Sequence, residues 1–153
     1  MTTCPPTREA VMTALFALVS GLKPPFTTVE RRMTMPGQGP SSLDPLVQPA
    51  LMMWEQHEHD ERSERGTPVR LWYVWFVIAF RNDDRDTAGA TILNPLLDAV
   101  RGALAPDDPV GNVLNLGRLV HAVYVDGPTI KNTGDTDAQG QGGAVIPVTI
   151  MVP

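Results

Sequence analysis

Residues 69–80, VRLWYVWFVIAF, constrain this chain more than any other stretch. Side chains alternate across a strand, so Val69, Leu71, Tyr73, Trp75 and Val77 share one face, while Trp72, Val74, Phe76, Ile78 and Phe80 share the other. Both sets are apolar and rich in β-branched and aromatic residues, as a central strand requires. Such a strand needs cover on both sides. The helices of one chain can supply one cover, and a neighbouring subunit is the economical source of the second. Trp72 and Trp75 point to opposite faces and are therefore both candidate inter-subunit contacts.

The rest of the chain supplies the first cover. Val11, Ala14, Leu15, Leu18, Val19 and Leu22 recur at helical spacing, with Thr7 placed as N-cap and Glu9 in the first turn. Gly21 and the pair Pro24 and Pro25 end that helix near Leu22. Asn94 followed by Pro95 reads as an N-cap and first helical residue, which predicts a second helix over 95–105 with Leu96, Leu97, Val100 and Leu104 inward. Residues 26–35 alternate as a strand with one wet face, and PGQGPSSLDP breaks it. From Ala50 the chain runs from apolar to heavily charged, a strand leaving the core for a hairpin end at Arg65 and Gly66. The expected fold is one α+β domain over 1–153: a mostly antiparallel sheet of four to five strands, with two main helices packed on it, that forms a ring. At 153 residues one core can bury roughly two thirds of the unfolded surface.

The last third reads as a hairpin with strands at 119–125 and 145–152 and a long tip at 133–143. The tip is Gly-, Asp-, Thr- and Gln-rich and has little to bury, so it is expected to be flexible and dispensable for folding. Two residues would suffice to turn a hairpin, so the extra length suggests use. Thr133, Gly134, Asp135, Asp137, Gln139 and Gln141 are candidates for contacts with a neighbouring subunit or tube. Pro147 joins them, because a strand proline has no amide to donate and favours an edge or bulge.

No catalytic or cofactor site emerges. His57, Glu58, His59 and Asp60, with His121 on a later strand, form the only metal-like grouping; it lacks the HExxH helical spacing and reads as a solvated strand end. The serines have no Gly-x-Ser-x-Gly elbow, and the glycines at 134–143 have no Gly-Lys-Ser/Thr ending. A metal-dependent enzyme built on the two histidines is the competing class. The net charge of −5, without a Lys/Arg-rich segment, argues against a dedicated nucleic-acid binder. A lone Cys4 permits no internal disulfide, and no apolar run approaches the ~18 residues that would span a bilayer, so neither a signal peptide nor a membrane segment is expected.

The order over residues 92–153 carries a resemblance. An Asn-Pro-Leu-Leu-Asp-Ala helix is followed by a Pro-containing loop and Leu116-Gly117-Arg118-Leu119-Val120-His121-Ala122-Val123-Tyr124-Val125-Asp126-Gly127, then a Gln/Gly loop and Ala144-Val145-Ile146-Pro147-Val148-Thr149-Ile150-Met151-Val152-Pro153. This resembles the tail terminator proteins of long-tailed phages, including the lambda-type minor tail protein that caps the tail tube. The resemblance implies a non-enzymatic virion protein at the head-proximal end of the tail, made in the host cytoplasm. It implies a homo-oligomeric ring, usually a hexamer, with the tail tube protein on one side and a head-side connector or neck protein on the other. DNA would only pass through the lumen, which an acidic protein suits. A head-tail joining or neck protein has similar size, charge and α+β content and is the alternative from the same virion.

Overall fold

A computed structural model describes residues 5–33, 47–62 and 68–153. Its elements run α1 (Arg8–Ser20), β1 (Thr28–Glu30), β2 (Ala50–Glu61), β3 (Val69–Arg81), α2 (Gly89–Ala103), β4 (Ala122–Val125), β5 (Ile130–Asn132) and β6 (Gln141–Val152). The chain is α+β, as its periodicities indicate. One sheet is ordered β1-β2-β3-β6-β4, and β5 also pairs β6. The sheet is mixed: β1 lies parallel to β2, whereas the other pairings run antiparallel. Cys4, the break at 36–45 and the hairpin end at Arg65 and Gly66 fall outside the described residues, as does the last part of the expected strand at 26–35.

β3 is the central strand. It pairs along its length with β6, from Arg70 opposite Val152 to Arg81 opposite Gln141. On its other edge it pairs β2, with a register shift between Glu55 and Glu58. The two faces fall as the alternation dictates. Trp72, Val74, Phe76, Ile78 and Phe80 join Leu51 and Met53 of β2 and Ile146, Val148 and Ile150 of β6 in the core. Val11, Leu15 and Val19 of α1 and Leu93, Leu96, Leu97 and Val100 of α2 close that core from the same side.

α1 begins where expected, with the Thr7 hydroxyl accepting the Ala10 amide. An ion-pair network then ties it to the sheet. Arg31 reaches Glu9 of α1 at 2.6 Å and Glu55 of β2 at 2.7 Å, and Arg8 meets Glu58 at 2.6 Å while lying over the Trp72 ring. The hydrogen bond from Arg31 holds the Glu9 carboxyl below its usual range, and that from Arg8 does the same for Glu58.

α2 departs from the sequence reading. It starts at Gly89, six residues before Pro95, and the proline stands inside the helix. Pro95 cannot donate to the preceding turn, which is why a proline normally marks a helix start. The structure reverses that inference because the added turn buries Leu93 and Gly89. Ala88, at the cap position, has no side-chain cap of its own. Asp135 supplies one from the distant tip, its Oδ1 accepting the Gly89 amide at 2.9 Å.

The two faces of β3 predict different responses. Phe76→Ala, at a fully buried position, should lower unfolding stability by about 3–5 kcal/mol in a guanidinium titration. Trp75→Ala should lower it by clearly less, since that ring is 37% exposed. Equal losses would mean that the outer face is part of the chain's own core.

Candidate assembly surface

The side of the sheet away from the helices follows from register alone. Residues paired across a ladder share a face, so Trp54, Trp75 and Pro147 form one row, and Tyr73, Thr149 and Tyr124 the next. Met52, Val77, Val145 and Ile130 make a third. This row lines an apolar groove of about 330 Å³. Trp54 and Trp75 meet edge to face, ring centroids 5.6 Å apart, and His57 stacks on Tyr73 at 4.4 Å. Much of this face remains accessible: Trp54 is 39% exposed, Tyr124 40% and Ile130 66%. Burial raises the Tyr124 phenol pKa, with nearby Asp126 adding to the effect.

The two candidate tryptophans therefore separate. Trp75 is at the centre of the outer face. Trp72 is 2% exposed and belongs to the core beneath Arg8, so its ring does not reach the protein surface. Trp54, which the sequence alone places equally well in a core or an interface, lies on this outer face through cross-strand pairing with Trp75.

Pro147 lies on an interior strand, not at an edge, yet its missing amide has a local explanation. The Asp126 amide donates to the Pro147 carbonyl at 3.0 Å, so the donor-less nitrogen faces the same side. There β4 ends opposite Val148 and β5 resumes opposite Val145, leaving the proline at the gap between two short strands. Gly127, at φ 96°, turns the chain past the proline ring.

The tip at 133–143 is folded against the β3–α2 loop. The Asn82 amide donates to Gly140, Arg85 donates to the Ala138 carbonyl, and Asp135 caps α2 while accepting from the Thr133 hydroxyl. Asp137 accepts the amides of Gln139 and Gln141 and so shapes the turn from within. Gly89 is required by this docking: a β-carbon there would stand 1.8 Å from the Thr133 carbonyl oxygen. Gly134 is buried, the Gln141 side chain donates to the Phe80 carbonyl, and Asp135, Asp137 and Gln139 remain solvent-facing.

Among the described residues, no group of three or more His, Cys, Asp or Glu side chains could hold a metal ion. His121 is exposed on the approach to β4, and its backbone amide donates to Met151. No described helix is long and apolar enough to cross a membrane. No protein-family model matches the chain, and no curated protein matches it.

The Asp135 cap has a pH signature. The Gly89 amide, then the Thr133 hydroxyl, hold this carboxyl below its usual range. Its contribution is therefore fully present above the ordinary aspartate pKa and is lost as pH falls through the depressed folded value. Asp135→Ala should lower the melting temperature at neutral pH, with the curves converging in acid. Asp135→Asn, which keeps an acceptor oxygen, should retain part of the stability without that pH dependence. Identical curves for Asp135→Ala and wild type would show that the cap contributes nothing.

Proposed function

We propose that this protein is a structural virion component that forms a ring, a hexamer by family resemblance, at the head-proximal end of a phage tail tube. There it stops tube polymerisation and offers a surface for head-tail joining. The observation that carries the assembly reading is the outer sheet face, where Trp54, Trp75, Tyr124 and Ile130 stay exposed on a strand pattern apolar on both sides. Large exposed apolar patches on a sheet are what protein–protein contacts cover. The tail-terminator reading rests on the resemblance over residues 92–153. Within this reading Asp137 and Gln139, the exposed candidates not engaged with α2, face a neighbouring subunit or the tube, while Thr133, Gly134, Asp135 and Gln141 hold the tip on the fold, and the net charge of −5 keeps a DNA-filled lumen from binding its contents. The partners are the tail tube protein and a head-side connector or neck protein.

Electron microscopy of the purified protein, alone and with tubes of its own tail protein, tests this directly. Rings, or caps at one tube end with tubes of uniform length, are expected. Trp75→Glu, which places a charge in the apolar face, should abolish rings while leaving the circular-dichroism spectrum unchanged. A wild-type chain that stays monomeric and leaves tube length uncontrolled would overturn the proposal.

A further inference from the structure

We draw no further inference here: the strongest candidate, the apolar groove that Met52, Val77, Val145 and Ile130 line on the outer face of the sheet, carries none because nothing in the structure shows what covers it.

Discussion

Everything in this domain is positioned by β3, because it is hydrogen-bonded on both edges. Its ladder with β6 covers twelve residue pairs. A strand held on both sides cannot slip by one residue without turning Phe76, Ile78 and Phe80 out of the core and Tyr73, Trp75 and Val77 into it. Register and face are thus one constraint, and the helices settle on whichever face carries the larger inward side chains. The same constraint leaves the outer face apolar. A sequence that must be β-branched and aromatic to form a central strand presents such residues on both sides, whether or not its own chain can cover both.

Legibility in the sequence follows the range of the interaction that decides each element. α1 was readable because its stripe, cap and stop are all local: Thr7 caps, Val11, Leu15 and Val19 face inward, and the helix ends at Ser20 before Gly21. β3 was readable because alternation is local too, and β2 because its apolar start and charged end are. The start of α2 was not. Asn94 and Pro95 offer a complete local start signal, and the stronger claim of Gly89 depends on an acceptor 46 residues away. β5 escaped for the opposite reason: three exposed residues, Ile130, Lys131 and Asn132, carry too little pattern to call a strand, and their partner strand β6 is what makes them one.

The exposed outer face was partly legible for the same reason. Alternation placed Trp75 on the outer face, but it could not show that Trp72, equally large, is sealed under Arg8, nor that Trp54 pairs across to Trp75. Those facts depend on inter-strand register, which shifts at the bulge between Glu55 and Glu58. Pro147 is similar. Its composition signal, a proline in a strand, correctly marked a missing donor, while the gap between β4 and β5 that accommodates it is visible only in the fold.

The tip shows how far function can be separated from stability here. Length and composition suggested an excursion that could be trimmed to a two-residue turn. The structure ties that segment to the fold, because trimming it would remove the Asp135 cap from α2 together with the Arg85 and Asn82 contacts. Its residues accordingly divide in two. Thr133, Asp135 and Gly140 contact the β3–α2 segment, as does the Ala138 carbonyl, and Gly134 is buried within the tip, whereas Thr136 and Gln139 are exposed. Only the second group can meet a neighbouring chain without cost to the first. An interface built there would use a tip already hydrogen-bonded to the start of α2 and to Asn82 and Arg85, and each bond made within the chain lowers the entropy lost on binding.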